Sequence, residues 1–204
     1  GPSFPFVTKG NKDLTWETSK MFQVGIETNI GNFLEVNIDY YRKITDDLLF
    51  DRRKGPSSGA ALKTVNDGKL LNSGLEFDIS ADIVKTPDFY LNARLNGEVL
   101  NNELLDMPID PAIEAQKVLD IQGRYGRSAG HSLYDFYTRE YVGVDPDNGL
   151  PIWNTYFDVN TGEDIASLTE YMSKNPNAEV DVRETNNATE ATLLYTGQSA
   201  IPDV

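Results

Sequence analysis

Residues Trp16 to Ile30 have one largely apolar and one largely polar set of side chains, which alternate with a period of two. Phe22 and Val24 lie at one parity, and Glu27 lies at the other. Because a strand points successive side chains to opposite faces, this alternation predicts a strand with one apolar and one polar face. A globular strand typically has about 5–6 residues, and a tilted strand that crosses a bilayer needs roughly 9–11. The length of the segment therefore favours the wall of a transmembrane barrel over a soluble sandwich.

Three further stretches in the first half of the chain show the same alternation. The four strands form two pairs with short turns at Gly31–Asn32 and Lys85–Asp88, and the polar segment at about 51–73 is predicted to be an exposed loop between the pairs. We therefore predict an all-β fold over residues 1–104, an antiparallel up-and-down meander of about four transmembrane strands. The predicted strands are Trp16–Ile30, Phe33–Phe50, Gly74–Val84 and Phe89–Leu100.

The overall composition excludes several classes of protein. The sequence contains no run of about 18 apolar residues, which excludes a transmembrane helix, whereas alternation dilutes the apolar signal of a barrel strand. A formal net charge of -14 over 204 residues excludes a nucleic-acid partner, because the phosphate backbone would be repelled. Since there is no cysteine, neither a disulfide nor a thiolate metal site is expected.

Regular alternation ends after Leu105. Composition and spacing predict two short helices, at Asp110–Ile121 and Asp164–Lys174. We interpret residues 105–204 as a long extracellular loop region with short helices that leads to the next strand, because barrels have short turns on one side and long loops on the other. Four strands cannot close a barrel, so the chain is expected to be part of a larger protein.

The sequence shows no pattern of a catalytic or metal site. His131 is the only histidine and lies between Gly130 and Ser132, where a solvated or locally hydrogen-bonded side chain is expected. No nucleophile-elbow motif is present, and no carboxylate pair has the context of a catalytic dyad. Asp145–Gly149 resembles the start of a calcium loop but lacks the later glutamate, so we predict a turn. We therefore expect no enzyme, no cofactor and no metal.

Aromatic residues are concentrated in the last hundred positions. Aromatic faces stack on sugar rings and anchor protein interfaces, but they also pack loops on themselves. Both interpretations stay open for this region. The candidates for contact with a substrate or partner are Tyr134, Tyr137 and Trp153.

Five segments match a set of known sequence motifs in order and at similar spacing: Asn11–Glu17, Ile38–Leu49, Asn72–Glu76, Ser132–Trp153 and Gly197–Pro202. Through these segments the chain resembles the SusC/RagA family of TonB-dependent outer-membrane transporters. The chain is similar to that family's strand motifs "NPDLKWE", "DYYRKTTKDLL" and "NKGVEL", to its "SIYDFY…YAGVDPETGLPLW" block, and to its "GSPIP" signal. Lys12 replaces the usual proline, and residues of about 154–196 match no motif of the family.

The resemblance implies a fold, a location and partners. The fold would be a single-chain barrel of about 22 strands in the outer membrane, with the loops extracellular. A SusD-like surface lipoprotein would cover the barrel and capture oligosaccharides or peptides, and TonB would energise import through a region absent from this chain. The barrel would contact outer-membrane lipid. The alternative is a secreted, soluble, β-rich module that binds glycans or proteins, in which the apolar faces would close on each other.

Overall fold

The computed structural model describes residues 10–53, 62–110 and 115–201. The chain divides into two compact units, one that ends at Pro108 and one that begins at Ile109. Across the described ranges the fold is all-β with one short helix, and the named strands pair in antiparallel fashion. No helix in these ranges is long and apolar enough to cross a membrane.

Four long strands form the sheet of the first unit. They pair in the order β1, β2, β5, β6, and β1 and β2 have 13 residues each while β5 and β6 have 17. This order confirms the predicted meander, and each strand exceeds the roughly 9–11 residues that cross a bilayer. The strands of this unit are β1 (Thr18–Ile30), β2 (Leu34–Asp46), β3 (Leu49–Arg53), β4 (Leu62–Asn66), β5 (Lys69–Lys85) and β6 (Tyr90–Asp106).

Short turns join the strands of both hairpins at one end of this sheet. Residues 31–33 link β1 to β2, and residues 86–89 link β5 to β6. Gly31 has a φ of 61°, a left-handed value that glycine adopts at little steric cost. In the second turn the amide of Thr86 donates a hydrogen bond of 2.8 Å to the carbonyl of Phe89. The short turns were predicted at these two places.

The prediction of a loop at about 51–73 is wrong for most of the residues in this range that the structure describes. There, β3 and β4 pair with each other, and β5 begins at Lys69 rather than at Gly74. The hairpin continues beyond the β2–β5 ladder, because the amide of Asp67 donates to the carbonyl of Leu48 over 2.8 Å. The polar composition that suggested a loop is centred on residues 54–61, which lie outside the described ranges. Cross-strand pairing extends strand structure on both sides of them.

The second unit consists of short strands and one helix. One sheet has the order β16, β11, β10, β9; in the other, β13 pairs with β12, β14 and β15; β7 and β8 form a separate pair. Its elements are β7 (Ile109–Asp110), β8 (Ala115–Gln116), β9 (Asp120–Gln122), β10 (Tyr125–Arg127), β11 (Asp135–Arg139), β12 (Tyr141–Val144), β13 (Pro151–Asp158), β14 (Asp164–Ile165), α1 (Leu168–Lys174), β15 (Val180–Thr185) and β16 (Leu193–Ser199).

The two predicted helices of this region have different outcomes. The helix predicted at Asp110–Ile121 is wrong over its described part, where β8 and the start of β9 are extended; residues 111–114 lie outside the described ranges. Its apolar residues were only loosely spaced, and the backbone pairs across strands instead. The second helix is confirmed in part, because α1 covers Leu168–Lys174, while Asp164 and Ile165 form a strand that pairs with β13.

Buried hydroxyl groups hold the two sheets of the second unit together. Thr192 is fully buried, and its hydroxyl donates to the carbonyl of Ile165 over 2.6 Å and accepts from the amide of Tyr156 over 2.8 Å. The buried Thr155 hydroxyl donates to the carbonyl of Glu190 over 2.5 Å. Since each buried hydroxyl has a partner, the polar groups stabilise this core rather than weaken it.

Candidate functional site

The long sheet has two chemically different faces. Residues opposite each other in antiparallel strands share a face, and the register places Ile26, Ile38 and Phe77 side by side. We call their side of the sheet the apolar face. Its four apolar rows are Ile30, Leu34, Ala81 and Ala93; Thr28, Val36, Ile79 and Leu95; Ile26, Ile38, Phe77 and Gly97; Val24, Tyr40, Leu75 and Val99.

The apolar face is exposed rather than packed into a core. Phe22 is 62% exposed, Ile38 is 38% exposed and Leu91 is 42% exposed. A soluble sandwich would bury these side chains, so the exposure contradicts that alternative. From Phe22 to Ile30 the face runs for about 27 Å at about 3.4 Å per residue, or about 21 Å across a bilayer at a tilt of about 40°. The apolar band of a membrane barrel is about 25 Å tall, so the two heights are similar.

The opposite face of the sheet, which we call the polar face, carries many carboxylates. Asp39, Glu76 and Glu98 are neighbours in one row, and they line an open cavity of about 450 Å³. Gly25 completes that row, and a Cβ there would lie 2.1 Å from a carboxylate oxygen of Asp39. Only glycine therefore lets the acidic side chain lie across β1. The other carboxylates on this face are Glu27, Glu35, Asp78 and Asp82.

Several of these carboxylates have hydrogen-bond donors within the sheet. Arg94 binds Asp78 with two hydrogen bonds of 2.9 and 2.5 Å, and the hydroxyl of Tyr41 donates to Glu98 over 2.5 Å. Asp82 accepts from Asn92 over 2.8 Å and from the side chains of Tyr90 and Lys85. The cations do not balance the carboxylates, so the polar face is a negatively charged surface that needs contact with water.

An aromatic cluster lies in the first sheet of the second unit, around Tyr195. The rings of His131 and Tyr195 stack in parallel with centroids 3.6 Å apart, and Tyr137 meets Tyr195 edge to face at 4.8 Å. The hydroxyls of Tyr195 and Ser128 are 2.6 Å apart, and desolvation raises the pKa of Tyr195. His131 also forms a 3.2 Å hydrogen bond with Asp135, which confirms the expected local hydrogen bonding. This cluster is a packing unit without a catalytic arrangement.

The three predicted contact residues occupy different environments. Tyr134 is 47% exposed, whereas Tyr137 is 1% exposed and its hydroxyl forms a 2.8 Å hydrogen bond with Ser167. Trp153 is half-buried in β13 and meets Tyr141 edge to face at 5.5 Å. Tyr137 and Trp153 belong to different sheets, so the three residues do not form one compact site. Their contact with a ligand stays a prediction, and burial gives Tyr137 a packing role.

Two acidic turns in the second unit are structural. Gly149 has a φ of 73° and its amide donates to the carbonyl of Asp145 over 2.8 Å, which confirms the predicted turn. Sequence reasoning missed Asp158, although the following Asn-Thr-Gly signals a turn. Its carboxylate accepts from the hydroxyl of Tyr171 over 2.7 Å and from the amides of Thr161 and Asn160 over 3.0 and 2.7 Å, and these donors lower the pKa of Asp158. Across the described ranges no cluster of acidic and histidine side chains could hold a metal ion.

Long antiparallel strands with an exposed apolar face and a charged opposite face define the wall of a transmembrane β-barrel. The model of the family "TonB dependent receptor-like, beta-barrel" matches residues 1–162. The chain therefore belongs to this family. Members are outer-membrane β-barrel receptors and not enzymes, which confirms the prediction that the chain is not an enzyme.

Individual relatives agree with this assignment. TonB-dependent receptor P3 of Formosa agariphila is 33% identical over 148 residues, which are 69% of this chain and 14% of that protein. TonB-dependent receptor SusC of Bacteroides thetaiotaomicron is 29% identical over 180 residues, which are 83% of this chain and 18% of that protein. A solved structure of the RagAB peptide transporter has the same fold, with a TM-score of 0.66 at 21% identity over 92% of this chain and 19% of that chain. The chain thus spans less than a fifth of each of these proteins.

Proposed function

We propose that the chain is an internal part of the barrel of a SusC-like nutrient importer in the outer membrane. The four long strands would cross the membrane, with the apolar face toward lipid and the polar face toward a water-filled lumen. The short turns at residues 31–33 and 86–89 would face the periplasm, and residues from about 105 onward would be extracellular. The exposed apolar face is the observation that carries this proposal, because water is a poor solvent for a surface of this size.

The cargo would be an oligosaccharide or a peptide. The resemblance to SusC and the shared fold with the RagAB peptide transporter support this class. A SusD-like surface lipoprotein would deliver the cargo, and TonB would supply energy through a region outside this chain. The carboxylates of the polar face would repel an anionic cargo, so we expect neutral or basic cargo to pass more readily.

Contacts with cargo or with the lipoprotein would come from the second unit. Tyr134 offers an exposed ring for stacking, and Trp153 offers a half-buried ring beside Tyr141. Tyr137 would contribute through the packing of its sheet, since it is buried and its hydroxyl is bonded to Ser167. We propose Tyr134 as the first residue to test.

Cysteine labelling in membranes tests the orientation of the sheet. The chain contains no cysteine, so single cysteines can be placed at Ile26 and at its neighbour Glu27 in a cysteine-free form of the full-length protein. A charged, water-soluble maleimide should label the position on the polar face and leave the position on the apolar face unlabelled. A fluorophore at position 26 should be quenched by brominated lipid. Equal labelling at both positions, or the reverse pattern, would contradict the proposed orientation.

A further inference from the structure

Arg42 is an exposed cation on the apolar face. Its row also contains Phe22, Ser73 and Asn101, and it lies directly beside the row of Val24. Among the described residues, no ion pair or hydrogen bond engages the guanidinium of Arg42. A charge held in hydrocarbon is costly, and long basic side chains reach for the polar boundary of a membrane. The unpaired cation therefore indicates a polar ligand at this height on the lipid side.

A group of ion pairs lies two rows beyond Arg42 on the same face, and Lys20 reaches it from the row between. Asp46 is bound by Lys20 at 3.4 Å and by Lys69 at 3.3 Å, and Lys69 also meets Asp106 at 3.7 Å. The Lys20 side chain is 76% exposed, so its ammonium is available to a second anion. Two lysines balance Asp46, and the remaining carboxylates of this region, Glu103 and Asp106, lie on β6 at the far side of the sheet. The β1–β2 side is consequently the positive side.

Hydrogen-bond donors line up at the boundary between apolar and charged rows. Arg42, Ser73 and Asn101 lie on three consecutive strands in one row, and neighbouring strands are about 4.8 Å apart. A guanidinium fork, a hydroxyl and an amide are donors that suit phosphate oxygens. On one side of these donors the face is apolar, and on the other the next row carries Lys20 and Glu103 at its two ends, followed by the group of ion pairs. A ligand that satisfies both must carry hydrocarbon chains and an anionic head.

We propose that Arg42, Ser73 and Lys20 bind the phosphorylated headgroup of a lipid of the outer leaflet. This inference rests on the proposed membrane orientation, in which the donor row lies away from the periplasmic turns and therefore toward the outer leaflet. The acyl chains would cover the row of Val24 and the rows beyond it. The ammonium of Lys20 would reach the same phosphate from the adjacent row, across Phe22.

Native mass spectrometry of the full-length protein in detergent tests this site. The probes are a diphosphorylated lipid A and its phosphatase-treated form with the same acyl chains. Arg42→Gln and Lys20→Gln should each weaken binding of the phosphorylated lipid by about tenfold, as expected for loss of a charge-assisted hydrogen bond. Lys43→Gln is the matched control, because it removes the same charge from the next residue, which lies on the polar face. Arg42→Lys should restore part of the affinity.

Each outcome decides for or against the site. Selective loss in the apolar-face variants, together with weak binding of the dephosphorylated lipid, supports the proposal. An equal loss in Lys43→Gln, or equal binding of both lipids, overturns it. Heat-modifiable electrophoretic mobility of every variant in vesicles is measured in parallel. If the unaltered protein inserts correctly but binds phosphorylated lipid no better than dephosphorylated lipid, the lipid site alone is overturned. If the unaltered protein fails to insert, the proposed function is overturned as well.

Discussion

Ile38 and Asn37 are adjacent residues of β2 with opposite expected surroundings. Ile38 lies in the same row as Ile26, halfway between Phe22 and Ile30, so it marks the middle of the apolar face. An arginine at Ile38 would place a charge near the bilayer midplane. An arginine at Asn37 would lie on the polar face instead. The pair therefore tests which face of the sheet meets lipid.

The expected magnitudes follow from the position of each residue. An arginine on the lipid side of a barrel costs about 2–4 kcal/mol at the midplane, and about 1.4 kcal/mol corresponds to a tenfold change in the folding equilibrium. Ile38→Arg should thus lower the folding constant by about 30-fold to 700-fold. At position 37 the arginine would have Glu27 and Asp78 as cross-strand neighbours. Exposed ion pairs contribute about 0–1 kcal/mol, so Asn37→Arg should be neutral or slightly stabilising.

Urea titration of the full-length protein in phosphatidylcholine vesicles measures both variants against the wild type. Folded protein is recognised by its heat-modifiable mobility, and the free energy of unfolding is extrapolated to zero urea. Only Ile38→Arg should shift the midpoint strongly. Equal destabilisation by both substitutions, or a larger cost at Asn37, would refute the assignment of the apolar face to lipid.

Two further predictions concern the second unit. Tyr137→Phe should cost about 1 kcal/mol of stability by removing a hydrogen bond and leave uptake unchanged, whereas Tyr134→Ala should reduce uptake of cargo by whole cells and leave stability unchanged; the opposite result would reassign both residues. The pKa of Asp158 is lowered by the Tyr171 hydroxyl, so its stabilising effect is complete above the unfolded Asp pKa of 3.8 and is lost as pH falls through the lowered folded value. Hydrogen exchange in residues 158–163, corrected for intrinsic rates, should therefore increase on acidification in the wild type and show no such pH dependence in Asp158→Asn.

The meander was predictable because the four strands keep their alternation wherever one side is apolar. The ends of β5 and β6 that lie away from their short turn were not predictable from the alternation. β5 begins at Lys69 and β6 continues to Asp106, and both include polar residues that interrupt the apolar pattern. Asn72 and Asn102 are paired across these strands by a side-chain hydrogen bond of 2.6 Å. Beyond the apolar rows a strand does not require an apolar face. The backbone pairing of β5 with β6 therefore continues where the alternation stops.

The second unit was harder to predict because its strands are too short for a period of two to be visible. β14 and β8 have two residues each, and β10 has three. The stability of such elements comes from burial and from hydrogen bonds between distant segments, as at Thr192 and Ile165. Likewise, composition alone could not separate the exposed Tyr134 from the buried Tyr137. Their difference depends on the pairing of β11 with β16, which joins residues about sixty positions apart.

The alternation of charged and apolar side chains fixes the register of the long sheet. In β2, Asp39 and Asn37 alternate with Ile38 and Tyr40, so a shift of one residue would turn carboxylates onto the apolar face and apolar side chains onto the polar face. Such a shift would expose the chain to the full cost of desolvating charged groups. Arg42 departs from this pattern at the edge of the apolar rows, where the proposed headgroup would give its charge an anionic partner. In the proposed orientation its position marks the membrane boundary, whereas a charge three rows closer to the turns at residues 31–33 and 86–89 would only destabilise the wall.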